Sequence, residues 1–549
     1  MIKTASLIIT GCMVLSAYSG NNGLPELIVS GVGTYWQKGS ATKTSDVSAS
    51  VVVNERETFQ TWEGFGGTFN EMGWDALQVV SSRIPEAIKL LFDAEDGANF
   101  VLGRIPMGAS DYAMSVYTLA ETPDDYAMEH FTIARDRRML IPFIKAAREI
   151  KPQLYLWASP WFVPFWMRGS GNAMKSDART LDAYALYFAR FIEEYAVEGL
   201  EIKAVHVQNE PEYAQIKWGQ PLLIDFMKSY LQPTFRQRGV SAEIWCGTMS
   251  AEVDTNLAIA VSRDPEAMNC VKGFGLQWNT IGVVPTLSLK GRVWQTEHRC
   301  GNYNFASPYW DMKRYDPDKA QNDHLYGEET WQLIRDWITA GVNAYCAWNM
   351  VLDTYGKNLL DWHQNALLVV DRTAKTLTAT PAYYAFRHFS QYILPGAVRI
   401  GVNRKDAVAF MNPDGRKVVV LYNKTDSEER VSVGLSGDVF TFALPSHGWA
   451  TLTERVATDI SYRQPGTDAK AACNLTVFKS ETGITIVLPV GVSGKVQLLT
   501  PGGRVLESGS IASGRNHVQC DGRTAPGVFL VRLVSNDGKI VTTERILLP

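Results

Sequence analysis

The sequence predicts an α/β fold: a (β/α)8 TIM barrel, an adjoining β-sandwich side domain and a further small C-terminal all-β domain. Two observations lead to this prediction. Between residues 64 and 350, short apolar runs rich in β-forming residues alternate with longer amphipathic segments, the pattern of repeated β/α units around a parallel sheet. On both sides of this region the chain has short alternating runs typical of antiparallel strands.

The barrel prediction depends on eight apolar runs and on the segments between them. The runs cover residues 64–70, 100–111, 154–161, 204–211, 243–250, 273–279, 292–298 and 343–350. The segments between them have helical periodicity; for example, apolar residues follow the spacing i, i+3, i+4, i+7 at Leu140, Phe143, Ile144 and Ala147. Because no G-x-G-x-x-G turn follows the first run, a closed barrel is favoured over an open doubly wound sheet.

The flanking segments define the other domains. Residues 45–62 and 394–456 are assigned to the side domain, residues 63–393 to the catalytic barrel, and residues 474–549 to the last β domain. Pro413-Asp414-Gly415 supplies a turn between two strands of the side domain. Residues 457–473 form a polar linker between the side domain and the last domain.

The N-terminus reads as an export signal. Lys3 is followed by an apolar run from Ala5 to Ala17, and cleavage after Ser19 gives a signal peptide of residues 1–19. The protein is therefore expected to be secreted or on the cell surface, in the periplasm or at the outer membrane. The box Ile9-Thr10-Gly11-Cys12 also fits a lipoprotein signal, although the apolar stretch before Cys12 is short for one. No later run has the length of a transmembrane segment.

Composition excludes several classes of function. A formal net charge of -4 offers no field that would attract polyanions, so nucleic acid is not an expected partner. The cysteines form no C-x-x-C pair and stand beside no histidine cluster, so neither a metal site nor a cofactor is expected. Cys473 and Cys520 share the C-terminal region, and the sequence leaves open whether they form a disulfide. The 16 Trp, 22 Tyr and 22 Phe suit either a large core or the stacking of sugar rings.

Polar residues at the strand ends are the candidate site, because barrel enzymes carry their catalytic groups there. Glu210 and Glu297 close the fourth and seventh runs. Two carboxylates across one barrel mouth are what glycoside cleavage requires: one protonates the leaving oxygen and the other attacks the anomeric carbon, at a separation of about 5 to 5.5 Å in retaining enzymes. The alternative for a single glutamate is an ordinary carboxylate at a helix N-terminus or on the surface.

Four short motifs in order resemble glycoside hydrolase family 30, the family of the glucosylceramidases. They are Gly64-Phe65-Gly66-Gly67, Ala158-Ser159-Pro160-Trp161, Gln208-Asn209-Glu210-Pro211 and Thr296-Glu297-His298-Arg299, and the resemblance covers residues 45–455. It implies a retaining β-glycoside hydrolase in which Glu210 is the acid/base and Glu297 the nucleophile. Such an enzyme needs no metal.

The resemblance also implies a set of residues that contact the sugar: Arg104, Asp111, Trp161, Asn209 and Trp348. Asp111 has the capacity to accept two hydroxyl hydrogen bonds, and Asn209 to hold a 2-hydroxyl. Arg104 is better suited to orienting a carboxylate through a bidentate pair, or to a structural salt bridge. Trp161 and Trp348 fit core packing as well as they fit stacking on a pyranose.

One motif departs from the family pattern. Glucosylceramidase-like members carry His-Trp-Tyr at the sixth strand, whereas this chain has Gln277-Trp278-Asn279. The tyrosine that would hydrogen-bond the nucleophile is missing, so either Tyr303 replaces it from the next loop or the pocket differs. Trp278 is then a wall of the substrate pocket or part of the core.

The last domain resembles the C-terminal sorting domain of type IX secretion substrates. The resemblance rests on a Pro501-Gly502-Gly503 turn between strands and on the run from Ala525 to Arg532. The alternative is an ordinary accessory β domain.

The sequence leaves three functions open. The first is a glucosylceramidase-like β-glucosidase, with a role in sphingolipid metabolism, or a β-1,6-glucanase. The second is a xylanase, β-xylosidase or β-fucosidase of the same family. The third is a carbohydrate-binding protein on an inactive barrel. The expected partner is a β-linked glycoside, oligosaccharide or glycolipid, and attachment to the cell surface stays open.

Overall fold

The computed structural model describes residues 24–213, 215–298, 320–361 and 363–454, together with seven strands between residues 476 and 548. The chain divides between Thr458 and Asp459 into two compact units. The predicted signal peptide, the linker, Tyr303, Cys300, Cys473 and Cys520 lie outside the described residues.

The first unit contains the predicted (β/α)8 barrel, which is confirmed. All strand pairs in its sheet are parallel, and the sheet closes through the fifth strand. That strand is interrupted at Gly247, whose φ of 68° lies in the left-handed region; its first part pairs with strand four and its second part with strand six. The barrel strands are Gly64–Thr68, Leu102–Pro106, Tyr155–Ser159, Ile202–His206, Glu243–Trp245 with Thr248–Met249, Gly273–Gln277, Arg292–Glu297 and Ala344–Asn349.

Helices surround the barrel strands. The predicted apolar face of the segment around residue 140 forms as expected, since Leu140, Phe143, Ile144 and Ala147 are all buried on one side of their helix. The helices are Glu71–Val79, Ile84–Phe92, Leu140–Ile150, Ala178–Val197, Gln220–Asp225, Phe226–Leu231 (a π-helical segment), Gln232–Arg238, Glu252–Arg263, Pro265–Cys270, Val284–Leu287, Ala320–Ala340 and Pro381–Ser390. Short 3-10 turns occur at Ser81–Arg83, Phe165–Met167, Ser170–Asn172 and Ile281–Val283. In the described part of the chain, no helix combines the length and apolar character needed to cross a membrane.

The lower barrel interior is filled by large aromatic side chains. Trp157, Trp245 and Trp294 are fully buried and share a cluster with Cys346. Cys246, Cys270 and Cys346 are free and buried, as the sequence predicted for cysteines near the barrel strands. This packing makes the interior a solid core, so ligands have access only from the ends of the strands.

The side domain is a ten-stranded sheet that folds over an apolar core. The long strand Val51–Thr61 joins its two halves, because it pairs antiparallel with Val398–Val402 and parallel with Glu429–Leu435. Apolar residues of both halves share one buried cluster. The strands are Glu26–Gly31, Thr34–Lys38, Thr42–Thr44, Val51–Thr61, Val398–Val402, Ala407–Met411, Lys417–Tyr422, Glu429–Leu435, Asp438–Leu444 and Trp449–Thr453. A separate three-stranded sheet comprises Val351–Asp353, Leu368–Asp371 and Thr376–Ala379.

The side domain starts earlier than residue 45, where the sequence placed its first boundary. Glu26–Gly31 pairs antiparallel with Trp449–Thr453, and Leu27 is buried in the core of the domain. Local sequence patterns carry no sign of this pairing, since the two strands come from opposite ends of the unit and a strand six residues long has little periodicity of its own.

The second unit is built of antiparallel strands, in keeping with the predicted all-β domain. Thr476–Ser480, Gly483–Leu488 and Gly514–Gln519 form one sheet. A second sheet has the order Val505–Ile511, Gly494–Leu499, Gly527–Ser535, Ile540–Leu548. The strand Gly527–Ser535 contains most of the run that resembles a sorting motif, and a sorting role stays a prediction.

The first barrel strand depends on small residues, which explains its glycine motif. A Cβ atom added at Gly66 would lie 2.0 Å from the backbone oxygen of Leu102 on the neighbouring strand. No side chain fits there without separating two paired strands.

We therefore expect Gly66→Ala to lower the free energy of unfolding by about 2 kcal/mol or more, the scale of overpacking in a tight interior. Gly282→Ala is the matched control, because nothing lies within 4 Å of a Cβ at that position. Thermal and denaturant unfolding of both variants measures the difference. Equal stability of the two variants would show that the first strand tolerates a side chain.

Candidate active site

Arg104, at the centre of the second barrel strand, organises the polar groups at the mouth. Its guanidinium is fully buried, and Nη1 donates to Glu297 Oε2 at 2.7 Å while Nη2 donates to Asn209 Oδ1 at 2.7 Å. Nε donates to Ser159 Oγ at 3.1 Å. Arg104 does orient a carboxylate, but through one nitrogen and not through the bidentate pair predicted from sequence. The second nitrogen instead holds Asn209, so the side chain ties together strands two, four and seven.

Glu297 closes the seventh strand and is bound on both of its oxygens. Oε2 receives the Arg104 hydrogen bond, and Oε1 accepts from Trp278 Nε1 at 3.0 Å. The pKa of Glu297 is raised overall, because burial outweighs the opposing influences of Arg104 and then Trp278, which lower it. The carboxylate therefore has a cation and a second donor that favour its charged form.

Glu210 follows the fourth strand and has a different environment. Burial, followed by the negative charges of Glu297, Asp111 and Asp254, raises the pKa of Glu210 well above its usual range, and a hydrogen bond from Ser250 acts in the opposite direction. Gln277 Nε2 donates to Glu210 Oε1 at 3.1 Å. The two carboxyls therefore differ by environment: Glu297 is stabilised as the anion, and Glu210 is held as the acid beside it.

Two residues at the ends of the fourth and sixth strands have backbone φ angles in the left-handed region. Glu210 has a φ of 48° and Trp278 a φ of 52°, values that are costly for residues with a side chain. A hydrogen bond from Glu210 N to Thr248 O holds the first position. The second lies in a turn in which Thr280 Oγ1 donates to Gln277 O at 2.7 Å. These conformations direct both side chains to the nucleophile.

Asp111 lies beyond the second strand, and one of its carboxyl oxygens accepts no hydrogen bond from the described residues. Its Oδ1 is buried and has no hydrogen-bond partner among the described residues. Burial, and then the charge of Glu297, raises the pKa of Asp111 to about 7. A buried carboxyl without a partner is costly, so this position is suited to a ligand hydroxyl.

Trp161 and Trp348 pack against each other and against Arg104. Their rings stack with centroids 5.2 Å apart, and both side chains are at most 1% exposed. The Arg104 guanidinium lies 4.2 Å from the Trp161 ring centroid. Of the two alternatives left by the sequence, the described geometry corresponds to core packing.

Other polar residues at the strand ends serve the scaffold. Glu71 accepts two hydrogen bonds from Arg135, at 2.7 and 2.6 Å, so it fixes the loop after strand two. His298 Nδ1 contacts the Tyr345 hydroxyl at 2.6 Å. Neither is bound to Glu210 or Glu297 in the hydrogen bonds of the described residues.

Sequence reasoning missed three contributions. Thr248 Oγ1 donates to Asn209 Oδ1 at 2.8 Å and so helps to fix that amide. Ser159 accepts a hydrogen bond from Arg104, and Gln277 donates one to Glu210. The position of Gln277 at a strand end was the signal in the sequence for a role at the site, but its contact with Glu210 depends on how the neighbouring strands are arranged.

Trp278 supplies the hydrogen bond that the sequence could not assign. The missing tyrosine of the sixth strand left two alternatives, Tyr303 in its place or a different pocket, and Tyr303 lies outside the described residues. The indole of Trp278 donates to Glu297, so Trp278 is more than a wall of the pocket.

A closed barrel with two buried carboxyls of opposite environment at its C-terminal mouth defines the class of barrel glycosidases. Comparison with known families agrees with this. A model of the glycosyl hydrolase family 30 TIM-barrel domain matches residues 62–393, and one of the family's beta sandwich domain matches residues 396–452. The chain belongs to glycosyl hydrolase family 30 and is an O-glycosyl hydrolase, so it is not the inactive binding protein considered from the sequence.

Two curated proteins illustrate the similarity. Putative glucosylceramidase 3 of Caenorhabditis elegans is 26% identical over 441 residues, which cover 73% of this chain and 81% of that protein. The lysosomal acid glucosylceramidase of Mus musculus is 25% identical over 418 residues, covering 70% and 79%.

Solved structures share the fold. SrfJ from Salmonella typhimurium matches with a TM-score of 0.70 at 23% identity, covering 79% of this chain and 99% of that one. The endo-beta1,6-glucanase BT3312 matches with a TM-score of 0.68 at 21% identity, covering 78% and 99%. A family 30 xylanase C of Talaromyces cellulolyticus has a TM-score of 0.58 at 21% identity, covering 74% and 100%.

The hydrogen bond from Trp278 makes a prediction about pH dependence. Because this donor lowers the pKa of Glu297, Trp278→Phe should raise that pKa. A nucleophilic Glu297 must be the anion, so under that assignment the acidic limb of kcat/KM should move to higher pH by about one unit, with a loss of about tenfold below it. The measurement is a pH profile on an aryl glycoside.

Trp294→Phe is the matched control. The Trp294 indole donates over the same 3.0 Å to Glu63, near the other end of the barrel. This variant should lose stability and keep the acidic limb. A shift in both variants, or in neither, would contradict the role of Trp278.

Proposed function

We propose that the enzyme cleaves β-glycosides with retention of configuration, with Glu297 as nucleophile and Glu210 as acid/base. The observation that carries this proposal is the contrast between the two carboxyls. Arg104 and Trp278 stabilise Glu297 as an anion, whereas burial and the charge of Glu297 favour the protonated form of Glu210. An ionised nucleophile beside a protonated acid is the resting state that a double displacement requires.

The same contrast between the two carboxyls accounts for both steps of the double displacement. In the first, Glu297 attacks the anomeric carbon, and Glu210 transfers its proton to the leaving oxygen as the glycosidic bond breaks. Glu297 is then a neutral ester, so its charge no longer raises the pKa of Glu210. Glu210 becomes a base, takes a proton from water, and the water oxygen displaces the ester.

Two side chains at the barrel mouth are suited to hydrogen bonds with sugar hydroxyls. Arg104 and Thr248 occupy Asn209 Oδ1, so the amide nitrogen is the atom that donates to a 2-hydroxyl. Asp111 offers its buried oxygen to another hydroxyl. Such contacts strengthen as charge develops at the anomeric carbon.

For the substrate we favour a β-glucoside of the glucosylceramidase or β-1,6-glucanase type, with sphingolipid metabolism as the physiological context of the former. The support is the names of the curated relatives and of one structural neighbour. The xylanase neighbour supports the β-xylosidase or xylanase alternative. Comparison of aryl β-glucoside, β-xyloside and β-fucoside, with β-1,6-glucan and glucosylceramide, decides between them.

Export to the outside of the cell, or to its surface, belongs to the same proposal. It is supported by Lys3 and the apolar run from Ala5 to Ala17, and by the strand and turn pattern of the last domain. Deletion of residues 474–549 should leave activity on soluble substrate nearly unchanged and alter where the protein accumulates. Retained localisation in that variant would remove the sorting role.

The nucleophile is tested by rescue. Glu297→Gly should have no turnover, because no glycosyl ester forms, and added azide should restore cleavage of an activated aryl glycoside with an α-glycosyl azide as product. Glu297→Gln fills the space with an amide and should respond weakly. Nuclear magnetic resonance identifies the anomer; a β-azide from Glu297→Gly would overturn the assignment.

The acid/base is tested by the leaving group. Glu210→Ala lacks the proton donor, so substrates with poor leaving groups should lose about a hundredfold or more in rate, and activated aryl glycosides should still form the glycosyl-enzyme in an initial burst. Azide should speed its release as the β-glycosyl azide, and the basic limb of the pH profile should disappear. Equal slowing of good and poor leaving groups, without a burst, would show that Glu210 is not the acid/base.

A further inference from the structure

Gln277 lies between the two carboxyls, with its amide atoms engaged on both sides. The side chain is fully buried at the end of the sixth strand. Its Nε2 is 3.1 Å from Glu210 Oε1, and its Oε1 is 3.1 Å from Thr296 Oγ1. A hydrogen bond from the same amide also lowers the pKa of Glu297.

The orientation of this amide follows from Arg104. A guanidinium only donates, so the atom of Asn209 that faces Arg104 Nη2 at 2.7 Å is the amide oxygen. Gln277 Nε2 approaches that oxygen at 3.5 Å, the outer limit of a hydrogen bond. The atom of Gln277 that faces Asn209 and Glu210 is therefore the nitrogen, while Thr296 is placed to donate to its oxygen.

We propose that Gln277 is a positioning residue that decides which oxygen of Glu210 carries the catalytic proton. An amide N–H can only donate, so Glu210 Oε1 must offer a lone pair to it. A protonated carboxyl has one carbonyl oxygen and one hydroxyl. The carbonyl oxygen is the stronger acceptor of the two, so the hydrogen bond from Gln277 favours Oε1 as the carbonyl oxygen and places the proton on Oε2. This inference rests on the proposed role of Glu210 as acid/base.

The same oxygen serves both steps of the reaction. In the first, the proton leaves Oε2 for the glycosidic oxygen while the bond to the anomeric carbon breaks. In the second, Oε2 takes a proton from water, whose oxygen bonds to the anomeric carbon as the ester to Glu297 breaks. Gln277 has no titratable proton, so its hydrogen bond to Oε1 is kept throughout.

Gln277→Met tests this inference, because methionine has a similar volume and no donor. The N–H at 3.1 Å favours the charged form of Glu210, as does a hydrogen bond from Ser250, against the burial and the charges of Glu297, Asp111 and Asp254, which raise its pKa. Loss of the donor should raise that pKa further, so the basic limb of kcat/KM moves up by about half to one pH unit. The proton is then free to occupy either oxygen, and rates on poor leaving groups should fall about tenfold more than rates on activated aryl glycosides.

Gln295→Met is the control, since Gln295 is buried on the adjacent strand and accepts only from the backbone N–H of Cys346 in the described hydrogen bonds. It should lose stability and keep both the basic limb and the leaving-group ratio. If Gln277→Met does not fold, Thr296→Val frees the same amide to turn its oxygen to Glu210, and the basic limb should move in the same direction.

Glu210→Ala separates the two hypotheses. If that variant shows the burst and the azide response, but Gln277→Met and Thr296→Val keep the wild-type basic limb and leaving-group ratio, the positioning role of Gln277 is wrong and the proposed function stands. If Glu210→Ala slows good and poor leaving groups equally, the proposed function itself fails.

Discussion

The buried ion pair between Arg104 and Glu297 is the constraint on which the active site depends. Two charges without access to water are stable only with good geometry and further hydrogen bonds. Here Arg104 Nη1 lies 2.7 Å from the carboxylate, and Trp278 donates to the other carboxylate oxygen at 3.0 Å. Removal of one partner would leave the other charged and unpaired, at a cost of about 3 to 5 kcal/mol. The charge on the nucleophile is therefore maintained by the fold.

That fixed charge determines the states of its neighbours. It raises the pKa of Glu210 and that of Asp111, each of which is also raised by burial. Arg104 favours the ionised form of Glu297, whereas the carboxylates of Glu297, Asp111 and Asp254 favour the protonated form of Glu210. In the proposed mechanism the two glutamates differ in role because Arg104 contacts one of them, and the difference ends when Glu297 becomes an ester.

The supporting residues restrict the site to a single arrangement. Arg104 fixes Asn209, and Asn209 with Thr296 fixes the Gln277 amide. The unfavourable backbone conformations of Glu210 and Trp278 are held by hydrogen bonds, one from Glu210 N to Thr248 O on the fifth strand and one from Thr280 Oγ1 to Gln277 O within the turn. Such a network is rigid, so transition-state charge meets groups that are already oriented.

The sequence by itself determined the eight barrel strands, because each apolar run and each helical face is encoded within a short segment. It also marked Glu210 and Glu297 as candidates, since strand ends are where a barrel exposes charged groups; their catalytic roles stay a prediction. Tertiary structure alone decided that Trp278 binds the nucleophile, that Trp161 stacks on Trp348, and that Glu26–Gly31 joins the side domain. These contacts link segments distant in sequence, and local patterns carry no information about which distant atoms meet at hydrogen-bond distance.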